Sequence, residues 1–308
     1  MTMARYSYNP GLTAPGKWSN IDFSDPHLQG AVRIMVRNIR AEAASCAVPD
    51  GVSMRRVTVK VWDGADVDCL VFSSRAETEA APSLLYCHGG GFFLPIQPVM
   101  IKLAAKFAQQ LGVRVYLPEY RILPEYAAPY PFRDCLSILE RILDGKGEYL
   151  LYGESAGGTL AAGLALWARD HGLRAAKGQC LVYPVMDNRC SRYQSMRLYS
   201  EAAWPLKNNL AMWHEYLKNG KCGLDDYLIP MQTPDVSNLP AAYIEPQEID
   251  TLRDEALAYA ERLRAAGTEV ITNTVPGSYH GFDADTENPF VSRIIAKRVE
   301  TMRQMLQR

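Results

Sequence analysis

The stretch LLYGESAGGTLAAG, residues 150–163, decides the fold. An apolar run passes into Gly-Glu-Ser-Ala-Gly-Gly and then into small residues suited to a helix. A buried strand has little reason to end on a serine crowded by glycines unless that serine is presented for use. Gly153, Ser155 and Gly157 form G-x-S-x-G, the strained strand-to-helix turn that exposes a nucleophilic hydroxyl. A serine N-cap in a glycine-rich turn is the plainer reading. The strand before it and the helix after it favour the nucleophile. There Ser155 stands at a helix N-terminus, which favours developing negative charge.

Outward from this turn, short apolar strands alternate with helical segments. RRVTVKV (55–61) alternates valine with polar residues, VDCLVFSS (67–74) reads as its neighbour, and DGAD supplies the turn. Strands are predicted at 82–87, 113–117, 148–152, 179–184 and 241–245, with a last one at 268–275. Between them, Met100, Leu103, Ala104, Phe107 and Leu111 share one helical face, and 132–143 forms another helix. Leu252, Ala256, Tyr259 and Leu263 form a stripe that ends at Gly267. The C-terminal helix carries Val291, Ile294, Ile295, Val299 and Met302. This rhythm predicts an α/β fold, a largely parallel sheet covered on both faces. Residues 1–50 and 186–235 stand outside it and read as a cap over one end of a single domain spanning 1–308.

Composition narrows the function classes. Hydrophobic residues make up 48% of the 308, enough for a large core. With 33 basic and 34 acidic residues the net charge is −1, so no nucleic-acid or anionic-membrane partner is expected. No run of about 18 apolar residues suggests a membrane span. The start, MTMARYSYNPGLTAPGKWSN, shows no apolar signal core. Seven cysteines lie scattered without a C-x-x-C pair, and Cys69, Cys87 and Cys180 sit in strand-like runs. A reducing cytoplasm is the expected compartment.

A serine hydroxyl needs a base, and an acyl-transfer site needs donors for its oxyanion. YCHGGGFF (86–93) places three glycines after a buried strand, so Gly89 and Gly90 are candidate donors, with the Ala156 N–H as a third. Five histidines are available. His27 and His88 come too early for the order serine, acid, histidine. His171 lies about 24 Å along the helix that Ser155 opens. His214 falls on a helix of the proposed cap. His280, in GSYHGFDAD after the last strand, remains as the base. The acid comes from AAYIEPQEIDTLRDE. It offers Glu245, Glu248, Asp250 and Asp254; Asp250 leads, although it could merely cap the helix that follows, Glu248 is held in reserve, and Asp254 should point away.

HGGG, GESAGG, D-x-L-R-D-E and YHGF, in that order, resemble the hormone-sensitive-lipase-like family of α/β-hydrolase esterases over about residues 80–285. YRILPEYAAPYP (120–131) is similar to a further family segment that supports the site loop. The resemblance implies an α/β-hydrolase fold with a mostly parallel eight-stranded sheet and a helical cap. It implies a Ser155–Asp250–His280 triad, an oxyanion hole of Gly89, Gly90 and Ala156, and His88 bracing the glycine loop. It implies a carboxylic-ester hydrolase with a small-molecule ester substrate and neither metal nor organic cofactor. Thr251 after Asp250, Glu154 before Ser155, and Pro95 and Pro98 after the glycines depart from the family's commoner residues. An amidase or arylformamidase on the same scaffold is the alternative, and a non-catalytic ligand receptor the more distant one. Cap aromatics Tyr193, Tyr199, Trp204, Trp213 and Tyr216 either pack a core or restrict acyl length. A homodimer through the C-terminal helix or a sheet edge stays open.

Overall fold

In the computed structural model the described residues are 6–16, 22, 25–74, 81–145 and 147–308, without the side chains of 26 and 28. Part of the 1–50 segment read as cap therefore lies outside the described residues. In chain order come α1 (Pro26–Ala44), β1 (Val52–Lys60), β2 (Asp66–Ser74), β3 (Ser83–Cys87), α2 (Pro98–Leu111), β4 (Arg114–Pro118), α3 (Tyr130–Leu143), β5 (Tyr149–Glu154), α4 (Ala156–Asp170) and β6 (Gly178–Val182). Then follow α5 (Gln194–Leu198), α6 (Leu206–Tyr216), α7 (Asp225–Leu228), β7 (Ala242–Glu245), β8 (Gln247–Ile249), α8 (Arg253–Ala265), β9 (Val270–Thr272), β10 (Val275–Tyr279) and α9 (Pro289–Leu306).

Eight strands form one sheet in the order β1-β2-β4-β3-β5-β6-β7-β9. The β1–β2 and β2–β4 pairs are antiparallel, and every later pair is parallel. Side-chain alternation explains the layers. Leu84 and Tyr86 of β3 pack with Phe107 of α2 and with Val291, Ile295 and Met302 of α9. Leu85 and Cys87 point the other way, into a core shared with Leu139 of α3, Leu160 of α4 and Leu263 of α8. With helices on both sides, β3 and β5 are buried at every residue. The predicted stripe Leu252, Ala256, Tyr259 and Leu263 is buried as expected. Phe107 is fully buried, with ring centroids 4.9 Å from Tyr152 and 6.2 Å from Tyr86. Phe107→Ala is expected to cost about 3–5 kcal/mol of unfolding free energy, read as a lower denaturant midpoint at unchanged slope.

After β3 the chain crosses to β4, and after β5 it crosses to β6, on opposite sides of the β3–β5 pair. The strand order therefore switches direction between β3 and β5. A crevice opens there, outside their carboxyl ends. The glycine loop leaves β3 into this crevice, and Ser155 leaves β5 into it.

One predicted strand divides. The stretch 268–275 is not a single last strand: β9 ends at Thr272 in the large sheet, and β10 leaves it to pair in parallel with β8. Pro246, between β7 and β8, has no N–H to continue the ladder across the break. In the small ladder Ile249 pairs with Tyr279, so the next residues of the two strands, Asp250 and His280, emerge side by side. The 1–50 segment also contains α1, whose Asp25 side chain caps the helix by accepting from the His27 N–H.

Candidate active site

Ser155 occupies φ 54°, ψ −123°, a conformation unfavourable for a residue with a Cβ, between β5 and α4. The glycines around it are required by packing. A Cβ on Gly157 would overlap the Cys87 carbonyl oxygen and come within 2.6 Å of the His88 oxygen. A Cβ on Gly153 would strike the Gly157 carbonyl. Removing these side chains lets α4 start directly against the end of β3, so the glycine loop comes up beside Ser155. A Cβ on Gly89 would lie 3.3 Å from that of Ser155. Gly90 (φ +105°) and Gly91 (φ +60°) take backbone conformations that glycine alone adopts at little cost.

The three predicted triad side chains meet. Ser155 Oγ lies 2.9 Å from His280 Nε2, and His280 Nδ1 lies 2.9 Å from Asp250 Oδ2. An ionised carboxylate only accepts, which assigns the proton to Nδ1 and leaves Nε2 to accept from the serine hydroxyl. Asp250 is 1% exposed. Its second oxygen accepts the Leu252 N–H at 3.1 Å. Asp250 does not cap α8, whose N-cap is Leu252; one of its oxygens serves the turn before that helix and the other the His280 ring. Glu248 accepts instead from the Gly277 N–H, and Asp254 from the Ser195 N–H.

The other histidines stay apart. His27 and His214 are exposed, and His171 stacks on Trp167 at 3.6 Å. His88 is fully buried, and burial drives its pKa down to about 4, so the ring is neutral. Its Nδ1–H donates to the Gly89 carbonyl at 2.8 Å, and its ring stacks on Tyr120 at 4.1 Å. The Tyr120 hydroxyl donates to the His88 carbonyl at 2.8 Å, and the Leu123 N–H donates to that of Phe92 at 2.7 Å. His88 and the 120–131 segment thus brace the glycine loop, as the resemblance implied.

Ser155 and His280 open onto a cavity of 680 Å³ whose walls include Met35 of α1, Leu94, Met100 and Leu103 of α2, and Trp204. Among the described residues no Lys or Arg lines it, and the acids that do are Glu154 and Asp283. Burial, reinforced by the charge of Asp283, pushes the Glu154 carboxyl up to about 7; the Tyr86 hydroxyl and Gly89 N–H pull the other way. A larger cavity of 1140 Å³ lies beside α1 and β2 and includes none of the triad. Several arginines line it, and Arg33, Arg40 and Arg56 pair there with Glu125, Glu119 and Asp68. Among the described residues, no group of three or more His, Cys, Asp or Glu is placed to hold a metal ion.

Of the cap aromatics, only Trp204 lines the 680 Å³ cavity, with its ring centroid 5.9 Å from that of His280. Tyr216 stacks on Phe92 at 3.9 Å, Tyr193 donates its hydroxyl to Asp187, Trp213 is buried against Tyr216, and Tyr199 packs on Tyr6. Sequence reasoning missed Tyr183 and Asp283, both of which line the cavity. The signals were present: Tyr183 lies at the carboxyl end of a predicted strand, just before Pro184, and Asp283 follows His280 by three residues.

Residues 84–284 match the family of alpha/beta hydrolase fold proteins. The chain belongs to that family. Lipase 2 of Moraxella sp. (strain TA144) is 30% identical over 280 residues, covering 78% of this chain and 64% of the relative. Ethyl acetate hydrolase of Pseudomonas putida is 30% identical over 212 residues, covering 66% of each. This α/β-hydrolase thus spans just under two thirds of the length of those two relatives. Among solved structures, a bacterial heroin esterase superimposes with a TM-score of 0.84 at 30% identity, covering 97% of this chain and 98% of its own. An esterase of the bacterial hormone-sensitive lipase family shares the fold, with a TM-score of 0.79 at 22% identity. Among the described residues, no helix is long and apolar enough to cross a membrane.

Proposed function

We propose that this α/β-hydrolase is a serine carboxylesterase acting on small acyl esters through an acyl-enzyme. The observation that carries the reading is the continuous hydrogen-bonded chain Asp250–His280–Ser155 at the wall of the 680 Å³ cavity. Ser155 Oγ attacks the ester carbonyl while His280 Nε2 takes its proton. The oxyanion is held by the N–H groups of Gly90 and Ala156; that of Gly89, the third donor expected from the sequence, is engaged by the Glu154 carboxyl instead. The imidazolium, stabilised by Asp250, then protonates the leaving alkoxide. Water attacks the acyl-enzyme by the same proton route in reverse, releasing the acid and restoring the serine. The names of the relatives, an ethyl acetate hydrolase among them, support ester cleavage.

We further assign the cap to α1 and the 186–235 segment, since each contributes to the cavity wall, through Met35 and Trp204 respectively. A reducing, cytoplasmic setting fits seven unpaired cysteines, five of them buried. The decisive experiment is a p-nitrophenyl ester series of increasing acyl length, combined with fluorophosphonate labelling and mass mapping. The label is expected on Ser155. A cavity of 680 Å³ suits a compact ligand, so a rate maximum beyond about ten acyl carbons would overturn the small-acyl assignment. Faster turnover of N-formyl amides than of esters would move the enzyme to the amidase side.

A further inference from the structure

Behind the His280 loop lies a buried cation that ester hydrolysis, as proposed, does not use. Arg298 sits on α9 with its side chain fully buried. A guanidinium without water must have carboxylate partners. Glu245, at the end of β7, accepts from Nη2 at 2.5 Å and from Nε at 3.0 Å. The remaining nitrogen, Nη1, reaches outward and donates to Asp283 Oδ2 at 2.6 Å. Asp283 stands three residues beyond His280, in the turn Phe282–Ala284 that lines the cavity. Its other oxygen accepts the Tyr183 hydroxyl at 2.7 Å. Tyr183 directly follows β6, held at φ +33° with its N–H donating to the Glu245 carbonyl at 2.7 Å. Its ring lies 4.7 Å from the His280 ring.

We propose that Arg298, Asp283 and Tyr183 form a positioning relay that fixes the His280 imidazole on the line between Ser155 Oγ and Asp250. The relay deepens the carboxylesterase reading and rests on it. A cation locked into the sheet by Glu245 fixes Asp283. Asp283 fixes both the turn after His280 and the Tyr183 hydroxyl. The Tyr183 ring then closes one side of the imidazole. The hydrogen bond to Asp250 restrains one ring nitrogen and leaves the ring free to pivot about it; the relay opposes that pivot. None of the three relay residues needs to touch the reacting atoms.

The control lies at the far end of β5. The hydroxyl of the buried Tyr149 donates to the Arg174 carbonyl at 2.7 Å, and neither residue belongs to the relay. Tyr183→Phe removes one hydroxyl and keeps the ring. Asp283→Ala frees the turn while Glu245 still neutralises Arg298. Misplacement of about 1 Å at a reacting group can cost on the order of 10²-fold in rate. Each variant is therefore expected to lower kcat, and the rate of fluorophosphonate labelling, by about 10- to 100-fold with KM within about twofold. The double variant should be no worse than the weaker single, because both act through one chain of contacts. Asp283→Asn should recover part of the loss. Tyr149→Phe should lower the melting temperature about as much as Tyr183→Phe and leave kcat unchanged. Kinetics of Tyr183→Phe and Asp283→Ala within about twofold of wild type, or an equal kcat loss in Tyr149→Phe, would overturn the relay. The esterase reading would survive that result, since Ser155 would still be labelled. Failure of the wild-type serine to react with fluorophosphonate would overturn both.

Discussion

Ser155→Ala is expected to lower kcat for p-nitrophenyl butyrate by about 10⁶-fold while leaving KM and the melting temperature near wild type. In the proposed mechanism the hydroxyl oxygen is the atom that becomes covalently bound to the acyl group, and His280 hydrogen-bonds to it. Removing Oγ leaves the cavity wall, the glycine amides and the His280–Asp250 bond in place. Substrate should therefore still bind, and a residual rate about 10³–10⁴-fold above water should remain from oxyanion stabilisation and binding. His280→Ala should cost about as much, and combining the two changes should add little, because serine and histidine act as one unit. Asp250→Asn should be milder, about 10⁴-fold, because the amide NH₂ can face Nδ1 and shift the proton to Nε2, where the serine needs an acceptor. Stopped-flow turnover and active-site titration separate these cases. Wild-type turnover in Ser155→Ala would refute the nucleophile assignment outright.

What was readable in the chain was what depends on local sterics. Gly153 and Gly157 are needed because two backbones touch at the elbow, Gly89 because Glu154 and Ser155 crowd it, and Gly90 and Gly91 because the loop turns through positive φ. Such demands leave a residue-level mark. Asp250 and His280 were reached by order and elimination, but their meeting was not readable. It depends on a three-residue strand, β8, pairing with β10 across an interval that looks like one continuous strand. Strands that short carry no periodicity. Arg298 was hidden for a different reason. On an amphipathic helix an arginine normally marks the wet face. Nothing near position 298 announces that its carboxylates come from β7 and from the turn after His280. The cap aromatics divide for a related reason. Tyr216 is claimed by Phe92 and Tyr193 by Asp187, which leaves Trp204 facing the cavity.

Gly157→Ala is expected to cost stability and activity together. The added methyl group would be driven into the Cys87 carbonyl oxygen, with the His88 oxygen 2.6 Å away. Both obstacles are backbone atoms, so no rotamer change relieves them. Cys87 cannot retreat easily, because β3 is hydrogen-bonded to β4 on one side and to β5 on the other. Overpacking in a core typically costs 1–3 kcal/mol when side chains can adjust. With backbone on both sides of the clash, about 3 kcal/mol or more is expected, a large part of the roughly 5–15 kcal/mol that holds a typical domain folded. The relief that is available, separation of α4 from the end of β3, moves Ser155 away from Gly89 and Gly90. Any folded fraction should therefore lose about 10²-fold in kcat as well. Gly30→Ala is the matched comparison. Gly30 lies within α1 with nothing within 4 Å of its would-be Cβ. The same methyl there should stabilise by about 0.5–1 kcal/mol through helix propensity, with unchanged kinetics. Equal denaturation midpoints for the two variants would show that the elbow tolerates a side chain at 157, and the close approach of α4 to β3 could then not be what sets Ser155 beside the glycine loop.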